Sequence, residues 1–299
     1  MPAEVVELLN VKRGGLYIDC TLGLGGHAKA ILTASKAARV VGIDQDDEAL
    51  AIAKNRLERF GDRVRFVKAN FSAVEGVVDE PVDGILADLG VSSLQLDSET
   101  RGFSFRYDAP LDMRMDPASC GQTAAELLAE TDEKDLADII YQYGEERHSR
   151  RIAKWIVEKR TAGEPIETTT QLAELVKRAV RSNPKDKIHP ATRTFQALRI
   201  AVNDELGILE EFVKDAVDIL KTEGVLAIIT FHSLEDRIVK HAFQRLAGKC
   251  ICPPRQPVCT CGAVKRVEIL TKKPILPTDA EQQQNPRSRS AKLRACKKL

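Results

Sequence analysis

The feature that most restricts this chain is a glycine-rich turn set directly behind a short β-leaning run. Leu16-Tyr17-Ile18-Asp19-Cys20 leads without a break into Thr21-Leu22-Gly23-Leu24-Gly25-Gly26-His27. Glycines at a strand-to-helix turn let the backbone approach a ligand closely and aim helix N–H groups at it. Nineteen residues beyond Gly25, Asp44 closes a second apolar run, Arg39-Val40-Val41-Gly42-Ile43-Asp44. An acid at that point accepts hydrogen bonds from both ribose hydroxyls of a nucleoside-containing cofactor. A glycine loop alone is a weak signal. With the distal acid it becomes a βαβ unit built around a ligand.

The alternation continues. Val64 to Val67 and Val82 to Leu89 read as further strands, and a helix with Leu50, Ala53 and Leu57 on one face lies before them. Asp46 or Asp47 can cap that helix, and Gly61 sits past its end. Such β-α order predicts a parallel sheet with helices on both faces. After about Arg101 the rhythm breaks, and from Thr123 to Arg181 the apolar spacing is helical, interrupted at Gly163-Glu164-Pro165 and Asn183-Pro184. The β-α pattern returns with a helical stripe from Leu206 to Leu220 closed by Gly224, an apolar strand from Val225 to Phe231, a helix from Leu234 to Leu246 and a last strand from Val264 to Leu270. The segment Asp279 to Pro286 is polar and reads as extended. The expected architecture is a doubly wound, Rossmann-like α/β sheet, residues 1–106 and 197–299, interrupted by an all-helical insert, residues 107–196.

A chain of 299 residues accommodates one large domain or a large and a smaller one. No stretch reaches the roughly 20 apolar residues of a membrane span. The opening MPAEVVELLN carries two acids and no basic region, so we expect no secretory signal, a cytoplasmic location and reduced cysteines. The net charge of +1 conceals local basic stretches: seven Lys/Arg against Asp186 between Lys177 and Arg199, and six Lys/Arg with no acid from Asn285 to Leu299. Such stretches suit a polyanion that touches part of the surface, and equally suit a solvated helix face and a frayed tail.

Two cofactor classes fit the loop. A dinucleotide brings a pyrophosphate and usually shows G-x-G-x-x-G; this chain has G-x-G-G with Asp19 ahead of it. A carboxylate there repels pyrophosphate but receives the ammonium of a methionine moiety, which favours S-adenosylmethionine. The fourth strand ends in Ala87-Asp88-Leu89-Gly90-Val91-Ser92-Ser93, with Gln95 just beyond. Strand carboxyl ends line the ligand crevice, so Asp88 is the candidate catalytic residue; its alternative is a helix N-cap. Amine methyltransferases often follow such an acid with Pro-Pro and an aromatic, where this chain has Leu-Gly-Val. His232, at the end of the fifth strand, is a candidate substrate contact, with Ser233 able to cap the helix that follows. Cys20 and Cys120 lack the surroundings of a ring-attacking thiolate, which counts against methylation at a ring carbon. Cys250, Cys252, Cys259 and Cys261 crowd together and could hold one zinc in a tetrahedral Cys₄ site, but Cys-x-Cys strains two ligands on one ion, so free thiols in a loop are the alternative and no metal is assigned. Met113 and Met115 read as packing between domain and insert, Arg114 as an RNA or lid contact, and Ile152, Trp155 and Ile156 as the insert's core.

The chain resembles the MraW/RsmH family of bacterial methyltransferases. The resemblance is carried by Thr21 to His27, Asp88 to Ser93, Arg101-Gly102-Phe103-Ser104-Phe105 and Pro110-Leu111-Asp112-Met113-Arg114-Met115-Asp116. It continues through Tyr143-Gly144-Glu145-Glu146-Arg147, His189 to Gln196, Phe231 to Lys240 and Asn285 to Ser290. The sequence departs at its start, opening a few residues after a His-x-Pro-Val-Leu-Leu-like segment of that family. The resemblance implies methylation of the exocyclic N4 of a cytidine in the decoding region of 16S ribosomal RNA, with the small ribosomal subunit as partner. It further implies cofactor contacts at Gly25, Gly26, His27, Asp44, Phe71, Asp88 and Gln95, with the ring of Phe71 packing on adenine. On this reading the basic run, Arg193 and Arg199 included, holds RNA backbone, as do Arg287, Arg289, Lys292 and Arg294 of the tail.

Overall fold

The computed structural model describes residues 1–118, 121–180, 189–250, 252, 256 and 260–299. Helix α1 (Pro2–Leu8) precedes strand β1 (Gly15–Asp19), and α2 (Gly26–Ala34), β2 (Ala38–Asp44), α3 (Asp47–Leu57), β3 (Val64–Lys68) and β4 (Val82–Asp88) follow. The chain then leaves the sheet for α4 (Ser93–Asp97), α5 (Ala124–Glu130), α6 (Glu133–Gly144), α7 (Ser149–Thr161), α8 (Thr169–Val180) and α9 (Ala191–Asn203). It returns through α10 (Leu209–Asp218), β5 (Leu220–Thr230), α11 (Ser233–Leu246), β6 (Val267–Ile269), α12 (Asp279–Gln284) and β7 (Lys292–Lys298). Two compact units result, Met1–Gly90 with Leu206–Leu299, and Val91–Glu205. These limits differ from the 107–196 insert read from sequence, because Val91 to Arg106 and Ala197 to Glu205 fold with the helices. No helix among the described residues is long and apolar enough to cross a membrane.

The first unit is built on a seven-stranded sheet of order β3-β2-β1-β4-β5-β7-β6. Strands β1 to β5 run parallel, whereas β7 is antiparallel to β5 and to β6. Successive side chains of a strand point to opposite faces. Ile18, Ile43, Ile85 and Ile228 therefore meet Phe212, Val213, Val239 and Phe243 of α10 and α11 on one side. Tyr17, Val40, Leu86 and Ile229 meet Val5, Ile31, Leu50 and Leu57 of α1, α2 and α3 on the other. Coverage of both faces explains why these strands read as continuous apolar runs.

Several expectations need correction. Strand β5 begins at Leu220, not Val225, since its register against β4 shifts between Val82 and Gly84 and so absorbs Lys221 to Gly224. The last-strand expectation shrinks to Val267–Ile269, with Val264 exposed. The segment expected to be extended is α12, whose Thr278 cap accepts from Glu281 N–H. The basic tail is not frayed: Lys292–Lys298 is β7, inserted between β5 and β6.

The second unit is helical, and Leu136, Ile140, Ile152, Ile156, Leu172, Val176 and Leu198 form its core with Trp155 against them. Met113 and Met115 are buried in this same core, so they pack within the helical unit. Helix α6 ends on Gly144, where a Cβ would lie 2.5 Å from the Arg193 carbonyl oxygen of α9. Only glycine permits that approach. Two of the recurrent motifs clasp one another: Arg101 donates to the carbonyls of Arg114 and Met115 at 3.1 and 3.0 Å, and Met113 N–H to the Arg101 carbonyl at 3.0 Å. Arg114 itself forms a bidentate pair with Asp112, both bonds 2.8 Å. Arg181, Lys185, Lys187, Cys120 and Cys259 lie outside the described residues.

Candidate active site

Three parallel strands each end on an aspartate: Asp19 on β1, Asp44 on β2 and Asp88 on β4. The chain turns outward in opposite senses from β1 and from β4, which are neighbours. A crevice opens at such a switch point, beyond the carboxyl ends of the strands. Gly25 caps α2 in the left-handed conformation (φ 74°), and a Cβ there would press on Leu57 Cδ1 at 3.0 Å. The turn therefore needs glycine twice over, for backbone and for space. Its neighbour Gly26 has no atom within 4 Å of where a Cβ would stand, which leaves the start of α2 open.

The turn is tied to the strand ends by its own polar groups. Gly23 N–H donates to Asp44 Oδ2 at 2.7 Å and Asp46 N–H to Asp44 Oδ1 at 3.0 Å. Burial nonetheless pushes the Asp44 carboxyl above its ordinary range, against the pull of those N–H groups. Asp88 N–H donates to Thr21 Oγ1 at 2.6 Å, locking the end of β4 to the loop after β1. His27, in the first turn of α2, places Nε2 3.5 Å from Asp88 Oδ2. Burial opposes a charge on His27, but Asp88 and Asp19 outweigh it and raise its pKa. Asp19 is 1% exposed. Its carboxyl is pushed up to about 6, chiefly by burial, with His27 pulling it down and Asp88 pushing it up.

Asp19 Oδ2, Asp88 Oδ1 and His27 Nδ1 are buried without a hydrogen-bond partner among the described residues. Buried polar atoms left this way cost stability unless a ligand or water completes them. Two of the three are acceptors, beside a third carboxylate, Asp44. That donor set fits a ligand bringing an ammonium and hydroxyls, as S-adenosylmethionine does, and repels a pyrophosphate.

Phe71 follows β3, positioned by Asn70, whose side chain accepts from Ser72 N–H at 3.0 Å and donates to Gln45 at 3.0 Å. Its ring stands edge-on to Phe212 with centroids 5.0 Å apart. His232 caps α11 in place of the expected Ser233, its Nδ1 accepting from Glu235 N–H at 3.5 Å. His232 Nε2 lies 3.1 Å from Glu235 Oε1 but out of line for a hydrogen bond. Glu235, 2% exposed, accepts from Phe231 N–H at 2.8 Å and His232 N–H at 3.3 Å, and so fixes the corner after β5. Thr21, Gly23 and Glu235 stood within the sequence motifs without a role of their own. A capping signal three residues after His232 was available for Glu235.

The remaining site candidates belong to the helical unit. Gln95 is buried and closes a capping box with Ser92 at the start of α4. Arg193 keeps its side chain 56% exposed, 3.9 Å from Glu146. Arg199 has its guanidinium held bidentately by Glu205 at 2.7 and 2.8 Å, with the side chain 16% exposed. Arg294 of the first unit is likewise committed, to Asp236 at 2.6 Å with 6% of the residue exposed.

The strand order with its reversed seventh strand, the glycine turn and the three strand-end carboxylates define an S-adenosylmethionine-dependent class I methyltransferase. The chain belongs to the MraW methylase family, whose profile matches residues 1–299. It is 52% identical, over 305 aligned positions, to the ribosomal RNA small subunit methyltransferase H of Geotalea uraniireducens (strain Rf4), covering 100% of this chain and 97% of that protein. The protein of the same name from Geobacter sulfurreducens is 53% identical, again with 100% and 97% covered. That of Carboxydothermus hydrogenoformans is 51% identical, with 99% and 96% covered.

Proposed function

We propose that the chain methylates the exocyclic N4 of a cytidine in the decoding region of small-subunit (16S) ribosomal RNA, acting in the cytoplasm on the small ribosomal subunit. The names of its half-identical relatives support the small-subunit RNA. The observation that carries the choice of an amine is Asp88 Oδ1, a buried acceptor without a partner at the end of β4.

An exocyclic amine on cytosine is a weak nucleophile, its lone pair being delocalised into the ring. When bound, S-adenosylmethionine supplies a methyl group already activated by a sulfonium. The protein's part is alignment and a place for the proton. Asp88 Oδ1 accepts an N4–H hydrogen bond, which orients the lone pair and favours the cation that develops at N4. His27 Nε2 lies 3.5 Å from Asp88 Oδ2 and steadies the carboxylate, so that Oδ1 takes the N4 proton as the methyl group arrives and Asp88 is left as the neutral acid. Asp19 receives the cofactor's ammonium, Asp44 its ribose hydroxyls, and Gly25 and Gly26 leave room at the head of α2. Phe71 and Gln95 complete the cofactor set, and Arg193 meets RNA backbone. Attack at a ring carbon would need a thiolate. Cys20, beside the loop, is fully buried and its thiol is pushed well above its ordinary value, first by burial and then by Asp19.

The test is transfer of labelled methyl from S-adenosylmethionine to purified small subunits, followed by nuclease digestion and mass spectrometry. N4-methylcytidine is expected with the native chain, and none with Asp88→Ala, which should still bind the cofactor. Recovery of 5-methylcytidine, or full turnover by Asp88→Ala, would overturn the proposal.

A further inference from the structure

Between α11 and β6 the chain carries a cluster that methyl transfer does not use. The loop is pinned shut at its base. Ala247 bridges Lys265, Arg266 N–H donates to the Leu246 carbonyl at 2.7 Å, and Lys249 N–H to the Gln244 carbonyl at 2.9 Å. Beyond that base, no described residue from Gly248 to Gly262 joins a hydrophobic cluster of the protein. Among its described residues the loop therefore has no apolar core to order it.

Three cysteines gather there instead. The sulfurs of Cys250, Cys252 and Cys261 all lie within 4.8 Å of one another. Cys250 Sγ and Cys261 Sγ are 3.6 Å apart. Zinc–thiolate bonds of about 2.3 Å at a tetrahedral angle set sulfurs about 3.8 Å apart. A disulfide would need about 2 Å. Backbone N–H groups are turned on two of the sulfurs: Thr260 N–H donates to Cys252 Sγ and Cys252 N–H to Cys250 Sγ, each at 3.4 Å. Such donors favour the thiolate, the form that binds metal.

We propose that Cys250, Cys252 and Cys261 form a structural zinc site that closes the loop between α11 and β6. Each thiol binds as thiolate and releases its proton to solvent, and a fourth tetrahedral position is left for another donor. Cys259 lies outside the described residues and is given no part in it. Soft sulfur ligands in tetrahedral array select zinc over magnesium or calcium. The site decides between zinc and free thiols, which the cysteine spacing left open, and is independent of the amine chemistry proposed above.

The test uses the full chain, expressed in zinc-supplemented medium and purified under reducing, chelator-free conditions. Elemental analysis should find about one zinc per chain, released when a mercurial reagent titrates the thiols. The triple variant Cys250→Ser, Cys252→Ser, Cys261→Ser should hold less than a tenth of that and bind S-adenosylmethionine normally. Should the variant fail to fold, cobalt(II) added to the native chain stripped of metal decides the matter. Thiolate-to-cobalt charge-transfer absorption with intense visible bands is expected. Metal-free native protein, zinc retained by the triple variant, a cobalt spectrum without thiolate bands, or a Cys250–Cys261 disulfide in the reduced preparation would each overturn the proposal.

Discussion

Asp44 binds two backbone N–H groups and still offers lone pairs to a ligand, so its removal tests cofactor placement directly. Hydrogen bonds to a charged group are worth roughly 1.5–3 kcal/mol, or on the order of ten- to a hundredfold in affinity. Asp44→Ala should weaken S-adenosylmethionine binding by that factor in calorimetry, with the fold intact by circular dichroism. Asp19 makes a different prediction, because its carboxyl is raised from 3.8 to about 6. A carboxyl higher in the folded than in the unfolded chain stabilises the fold fully below the unfolded value. That stabilisation, of about 3 kcal/mol, disappears as pH rises through the folded value. A bound ammonium favours the ionised form. Cofactor affinity should therefore climb about tenfold per unit up to pH 6 and then level off, and Asp19→Asn should flatten the profile. A native profile flat from pH 5 to 7.5 would remove Asp19 from the ammonium site. The place of both aspartates at strand ends beside the glycine turn could be read from sequence, because each closes an apolar run next to that turn. Thr21 could not, since it acts on the Asp88 N–H that only the folded chain brings near, whereas Glu235 was signalled by its place three residues after His232.

At the scale of elements, the parallel strands announced themselves and β7 did not. Strands buried on both faces are apolar throughout, whereas Lys292-Leu293-Arg294-Ala295-Cys296-Lys297-Lys298 carries four cations. Its apolar residues still alternate: Leu293 and Ala295 join one face of the sheet and Cys296 the other. Arg294 is tolerated only because Asp236 of α11 neutralises it. Burial raises the Asp236 carboxyl, but Arg294, helped by Lys292, holds it below the ordinary range. Removing one partner of such a pair strands the other charge and costs roughly 3 kcal/mol or more. Arg294→Ala should lower unfolding free energy by about that amount in urea titrations while leaving the salt dependence of RNA binding unchanged. A salt slope reduced by this substitution, with stability untouched, would restore the tail to the RNA surface. The α12 segment failed for another reason. Its Thr278-x-x-Glu281 signal was present, but too short a run of apolar spacing followed to suggest a helix.

For the molecule as a whole, the division into sheet and helical insert followed from the change of period near Arg101, while the exact limits did not. Connections such as Val91 to Arg106 have no period of their own and join whichever core they touch. Charge at this scale yields the last prediction. With Arg199 and Arg294 committed to internal pairs, the exposed cations of the helical unit are the better candidates for RNA. Lys177 and Arg178 lie on the exposed side of α8, Arg178 with its side chain 73% exposed and only a surface pair to Glu174, and Arg193 lies on α9. An exposed pair of that kind is worth little and yields readily to a phosphate. Removing a cation that neutralises one phosphate lowers the log–log salt slope by about one. The triple variant Lys177→Ala, Arg178→Ala, Arg193→Ala should therefore flatten the salt dependence of subunit binding by two to three units (about one per cation). It should raise KM for small subunits and leave S-adenosylmethionine affinity unchanged. Backbone contacts position without reading sequence, so specificity must come from folded RNA that presents one cytosine unpaired. A short oligonucleotide of the target sequence should be methylated poorly by the native chain. Equal rates on oligonucleotide and subunit, or a salt slope indifferent to the triple change, would place recognition on another surface.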